Sequence, residues 1–312
     1  MLAFLRTRPA ATALVAFAAA LWGLDALFRR PLAHSTGVST IVFGEHVVLV
    51  LTVLPFVLPS LRAVWRLGWR YLLAALVVGA GASAAATILF TQAFVDGDPV
   101  TPVVIQKIQP IVVVLAARVV LGERARRRFA WYLLPALGAT WLMAFPSPLH
   151  IGAHSTLLPS LYALAAAVLW ALGTVFGRYL SRVLPFQQVT TLRFAFGLPA
   201  TAIALLVLGD PAFSSVHDSL WIAVLALVTG TVALTLYYFG LRNTPAIAAT
   251  IAELAFPVTA AIVGYVAFGA RLTTTQWIGV GVTTLVVAML PTRPGNTVEL
   301  TMPTHLPSAA PA

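Results

Sequence analysis

Leu21-Trp22-Gly23-Leu24-Asp25-Ala26-Leu27-Phe28-Arg29-Arg30-Pro31-Leu32 returns, shifted by 148 residues, as Leu169-Trp170-Ala171-Leu172-Gly173-Thr174-Val175-Phe176-Gly177-Arg178-Tyr179-Leu180. Leu, Trp, Leu, Phe, Arg and Leu recur at identical spacing. Further along, Pro110 and Pro257 match at a shift of 147, and Leu121-Gly122-Glu123 matches Phe268-Gly269-Ala270 more loosely. Coincidences of Trp, Phe and Pro near one constant shift are rare, so the chain reads as two copies of one unit.

Composition places both copies in lipid. Of 312 residues, 60% are hydrophobic and 9% charged, whereas a soluble domain carries about a quarter charged residues. Mean hydropathy is +0.94. With no cysteine, disulfide scaffolds and thiolate chemistry are excluded. The net charge of +10 comes from arginines clustered between apolar runs, with no basic stripe for nucleic acid. A helix needs about 20 apolar residues to cross a bilayer. Ten such runs occur: 11–33, 37–60, 68–94, 99–121, 129–146, 155–180, 186–209, 217–241, 245–268 and 274–291. They are apolar all round and lack the period-two alternation of barrel strands. The expected fold is therefore an all-α integral membrane protein with ten transmembrane helices. A short N-terminus (1–10) precedes five helices (11–146), five more (155–291) and a disordered tail (292–312) rich in Pro, Ser and Ala. The first run follows Arg6 and Arg8 as a signal peptide would, but it stays apolar through Leu27 and Phe28, too long for a leader core.

Arginine bookkeeping sets the expected orientation. With a cytoplasmic N-terminus, fourteen arginines fall in cytoplasmic segments, while only Arg29, Arg30 and Arg271 lie outside. Both termini are then cytoplasmic, in the inner (plasma) membrane. Five helices per copy is an odd number, so the second copy runs upside down relative to the first. Inverted repeats give a carrier two interchangeable states, one open to each side.

The repeated Trp-Gly/Ala, the segment Gln106-Lys107-Ile108-Gln109-Pro110 and the following Leu121-Gly122-Glu123 together resemble EamA-type members of the drug/metabolite transporter superfamily. The resemblance covers residues 11–291 and implies two inverted five-helix halves around a central cavity. It also implies export of amino acids or related metabolites, a small-molecule substrate and no cofactor. Phe268-Gly269-Ala270 departs from the pattern.

Five ionisable residues fall inside the runs: Asp25, Glu45, Lys107, Arg193 and Glu253. A charge at mid-bilayer costs about 3 kcal/mol, so each needs a partner or water. Lys107 and Glu253 lie about 12 Å deep from opposite faces, at 1.5 Å per residue. Lys107 is a candidate for an acidic group of the substrate, with Glu253 or Asp25 receiving an ammonium or a proton. The structural alternative is a set of ion pairs, Lys107 with Asp25 or Glu45 and Arg193 with Glu253. Glu45 and Arg193 are repeat-equivalent, as are Gln106 and Glu253. Trp22, Gln92 and Tyr237 are candidate cavity walls. Pro110 and Pro257 are expected to kink their helices one turn from the charges. Glu123 is expected to pair with the run Arg124-Ala125-Arg126-Arg127-Arg128. The stretch 79–86 and the Gly173/Gly177 pair read as close-packing surfaces.

No GxSxG, HExxH, phosphate-loop or dinucleotide fingerprint occurs. His150 and His154 lie in a Gly-containing loop and are not read as metal ligands. A secondary transporter, with proton coupling placed on Glu253, is the leading expectation. A carrier for nucleotide- or lipid-linked sugars is the alternative within transport. An intramembrane enzyme would need a nucleophile–base pair that the runs do not contain.

Overall fold

A computed structural model describes residues 8–32, 35–96, 105–144, 157–290 and 298–300. Among these residues, seven helices are long and apolar enough to cross a membrane. They are α1 (Pro9–Arg29), α2 (Val38–Leu67), α3 (Trp69–Ala93), α6 (Leu157–Ser181), α7 (Phe186–Leu208), α8 (Val216–Leu241) and α9 (Ala246–Phe268). Among the described residues, shorter helices are α4 (Gln109–Val120), α5 (Ala130–Ala144) and α10 (Thr274–Met289), so seven rather than ten helices have the length to span. Residues 99–104, assigned to the fourth apolar run, and His150 and His154 lie outside the described residues.

The outer surface is greasy in the way lipid demands. Val119, Leu206 and Val207 are each about four-fifths exposed, a burden that no soluble protein carries over so much of its surface. Trp65, Trp69 and Trp131 are exposed at or near helix ends, the level at which indoles sit in a bilayer interface.

Lipid tails are as apolar as leucine, so helices associate through close packing rather than through a hydrophobic force. α2 lies along α7, α5 along α10, α1 along α8 and α6 along α3. Glycine makes two of these contacts possible. Gly173 of α6 abuts Ala82, and a side-chain carbon at Gly240 would fall 2.6 Å from the Ala11 carbonyl. Both close-packing surfaces read from the sequence therefore lie at helix contacts. The stretch around Gly79 is also π-helical, over Val77–Ala85. A second π-helical segment, Ala226–Val232, interrupts α8 and begins 149 residues later.

Three helices are broken rather than continuous. α1 turns at Gly23-Leu24, α9 at Glu253-Leu254, and the helix leading into α4 at Lys107-Ile108. Pro110 and Pro257 were expected to kink running helices, and here the structure differs. Each proline sits in the first turn of the restarted helix, where its missing N–H would have had no partner anyway. The chain accommodates the two prolines by ending and restarting the helix.

Gly122 and Gly269, the shared element of the two loosely matched endings, have φ of +67° and +64°. Left-handed backbone of this kind closes a helix, and glycine adopts it without steric cost. The tail, expected to lack structure, contributes a strand: β2 (Val298–Leu300) pairs antiparallel with β1 (Glu123–Ala125). The physical reason is the unpaired backbone that an isolated extended segment presents to any strand within reach.

Candidate functional site

The break in α9 puts Glu253 at the centre of a hydrogen-bond cluster built from four helices. Its Oε1 accepts from the Tyr237 hydroxyl of α8 at 2.7 Å and from Thr174 Oγ1 of α6 at 3.0 Å. Its Oε2 accepts from Gln109 Nε2 of α4 at 3.1 Å. A carboxylate is acceptor-only, and three donors converging on it fix both its position and its orientation. Tyr237 is itself held by Trp22, with ring centroids 5.1 Å apart, and by Tyr238 at 5.2 Å.

Beside Glu253 lies a cavity of about 40 Å³. Its polar lining is Gln106, Lys107, Gln109, Thr140, Thr250 and Glu253. Lys107 and Glu253 therefore line one cavity, each at a helix break, in α9 and before α4. They do not form an ion pair. Among the described residues, Lys107 has neither a hydrogen-bond nor an ion-pair partner. The Thr250 hydroxyl is likewise buried without a partner in this lining. Pockets for drug-sized ligands measure about 300–1,000 Å³, so this cavity is too small to hold one.

The other candidates are distributed differently from the sequence expectation. Asp25 and Glu45 pair neither with Lys107 nor with Arg193. Both are taken by Arg29, whose Nε meets Asp25 at 2.7 Å and whose Nη2 meets Glu45 at 2.7 Å. Arg193 does not pair with Glu253 or Glu45 either. It donates to the Tyr238 hydroxyl at 3.1 Å, and its Nε is buried without a partner. Tyr238 in turn meets Tyr237 edge to face, so Arg193 reaches the cluster through two rings. Gln92 is half-buried on α3 and does not line the cavity. Nearby, Phe90 meets Trp170 at 4.9 Å.

Glu123 turns away from the arginine run assigned to it. It is fully buried and meets Arg182 at 3.3 Å and Arg178 at 3.8 Å. Burial pushes its carboxyl above the usual carboxylate range, against the opposing pull of Arg178 and the Ile247 amide.

Sequence reasoning passed over four residues: three that hold candidate carboxylates, and one buried histidine that does not line the cavity. Arg29 carried a signal, since Asp25 lies four residues before it on one helix face, the spacing of a helical ion pair. Gln109 stood inside the quoted segment, three residues from Gln106. Thr174 is a polar residue one turn after Trp170 in an otherwise apolar run. His46 is a buried histidine on α2, 3.1 Å from Ser83 Oγ and 2.8 Å from the Val42 carbonyl.

Comparison with known proteins adds a family to this geometry. Residues 157–291 match the model of the EamA-like transporter family. The chain is 30% identical over 275 residues to "Riboflavin transporter ImpX" of Fusobacterium nucleatum subsp. nucleatum, covering 84% of this chain and 91% of that one. A crystal structure of a protein 19% identical in sequence shares the fold, with a TM-score of 0.72 over 92% of this chain and all of its own. With a relative this similar along nearly the whole length, the chain belongs to the EamA-like transporter family.

Proposed function

We propose that this chain is a secondary transporter of small organic solutes, working by alternating access around the cavity between Lys107 and Glu253. One observation carries the reading: two residues of opposite charge type, Lys107 and Glu253, stand at helix breaks and line the same cavity inside a largely apolar bundle. Unpaired charge at membrane depth is costly and marks a solute or proton path.

The inverted-repeat reading supports the same conclusion. The contact of α1 with α8 mirrors that of α6 with α3. The two π-helical segments and the breaks at Lys107-Ile108 and Glu253-Leu254 each recur near the shift read from the sequence. Two like halves offer two equivalent packings, one exposing the cavity to each side. We place ten spans in an inner membrane with both termini cytoplasmic. A single cysteine at position 126 should then label only from the cytoplasmic face and one at position 96 only from outside. Labelling of both from one face would overturn the topology; the chain's lack of natural cysteines makes the reading clean.

Riboflavin is the first solute to test, because the relative that is 30% identical is named for it. A planar ring system also suits the aromatic groups Trp22 and Tyr237 behind Glu253. Amino acids, with their opposite terminal charges, are the second class, favoured by the Lys107–Glu253 arrangement. Either solute requires the cavity to widen in other states of the cycle. The test is flux of labelled riboflavin and labelled amino acids in proteoliposomes, with and without a pH gradient. Saturable flux above protein-free vesicles is expected for one class; none for any small organic solute would sink the proposal.

A further inference from the structure

Among the described residues, one buried ionic cluster joins the two halves about one helical turn from the cavity lining. Glu123 follows α4 in the first half. Every group that holds it belongs to the second half. Arg182 and Arg178 come from the end of α6, and the Ile247 N–H at the start of α9 donates to Oε2 at 3.3 Å. The arginines are themselves anchored. Arg178 donates to the carbonyls of Leu241, at 2.8 Å, and Arg242, closing the end of α8 over the cluster. Arg182 also donates to the Leu121 carbonyl at 3.2 Å. In the proposed orientation all of these groups lie at the cytoplasmic ends of their helices.

Position relative to the cavity gives the cluster its meaning. Ile247 is three residues before Thr250, which lines the cavity, so one turn of α9 separates the two. α4 supplies Gln109 and Pro110 to the cavity, and the segment that follows it supplies Glu123 to the cluster. A movement of α4 away from α9 that widened the cavity toward this side would break the Glu123 contacts. The matching position in the second half is Ala270, so the opposite face has no equivalent carboxylate. There the halves are joined instead by hydroxyls on aspartates: Ser39 donates to Asp210 at 2.6 Å and Thr36 to Asp218 at 3.2 Å. A buried ion pair gains attraction but loses hydration, and the two nearly offset. Such a contact holds a closed state without making it irreversible.

We propose that Glu123, clasped by Arg178 and Arg182, is a further residue of the transport cycle: a one-sided bolt that closes the cavity on the cytoplasmic side. This rests on the transport reading above. Its action is on access to the cavity, not on the solute.

Thr250 is 1% exposed and provides the reporter. With Thr250→Cys as the single cysteine, labelling by a membrane-impermeant maleimide from the cytoplasmic face should be slow. Glu123→Gln should speed it about tenfold, the equivalent of one lost charge-assisted hydrogen bond, and leave labelling from the outer face unchanged. Arg182→Gln should act in the same direction and leaves the α9 amide contact intact, so it decides the matter if Glu123→Gln does not yield folded protein. Unchanged cytoplasmic labelling in the folded variants overturns the bolt. The transport reading fails separately, through absence of flux in the parent protein, and faster labelling of these variants would stand even then.

Discussion

Glu253→Gln is expected to remove solute flux, or any dependence of flux on a pH gradient, while the protein still inserts and purifies as a folded species. The geometry explains why the two effects separate. Tyr237 and Thr174 meet Oε1 with hydroxyls, which rotate to donate or accept, and Gln109 meets Oε2 with an amide that can flip. A glutamine of the same size therefore keeps its neighbours satisfied, at a cost of about 1 kcal/mol per hydrogen bond that loses its charge assistance. What glutamine cannot supply is the negative charge across the cavity from Lys107, or a site for a proton. An expected drop of at least about 100-fold in initial rate corresponds to roughly 2.8 kcal/mol of lost charge complementarity. The measurement is initial flux in proteoliposomes with and without the gradient, beside elution profiles of variant and parent. An unchanged pH response at normal flux would remove Glu253 from coupling and leave the Asp25–Arg29–Glu45 cluster as the remaining acidic group.

The membrane-spanning character was legible because lipid imposes one rule on every helix: backbone polar groups must be satisfied within the segment, so apolar runs of fixed length announce themselves. The partners of the buried charges were not legible, and the reasons are specific. Glu45 was set against Lys107, and Arg193 against Glu253, because both pairs are oppositely charged at membrane depth, but depth does not say which helix faces which. Glu45 instead meets Arg29 from the neighbouring helix of its own half. Arg29 looked like a topology signal since it closes an apolar run beside Arg30. Glu123 looked like a partner of the arginines following it. In an extended segment successive side chains point to opposite faces, so Glu123 turns inward while Arg124 faces out. Counting residues along a helix marked Lys107 and Glu253 as deep, but that both line one cavity depends on helix packing, which counting does not give. The helix breaks were visible only as Pro110 and Pro257, whose effect depends on whether the helix kinks or restarts.

Lys107 carries the second large expected effect: both Lys107→Ala and Lys107→Arg should abolish transport, with normal insertion and folding. It is the only lysine in the chain, and the remaining eighteen basic residues are arginine. Arginine serves topology equally well, so an ammonium at this depth has another reason to be there. Guanidinium is a wide planar fork that stays charged, whereas ammonium is a compact charge that gives up its proton readily. The 40 Å³ cavity has little room for the fork. Losing one member of a buried ion pair costs about 3–5 kcal/mol and would confuse lost function with lost folding. That objection does not arise, since Lys107 has no partner among the described residues and Glu253 keeps all three of its donors without it. Removing an unpaired cation from a low-dielectric site relieves its desolvation, so Lys107→Ala should melt no lower than the parent protein. Thermal unfolding in detergent and flux in proteoliposomes, measured on the same preparations, separate the two effects. Full flux in Lys107→Arg would reduce Lys107 to a generic positive charge. A marked fall in melting temperature for Lys107→Ala would mean that the ammonium holds the fold together.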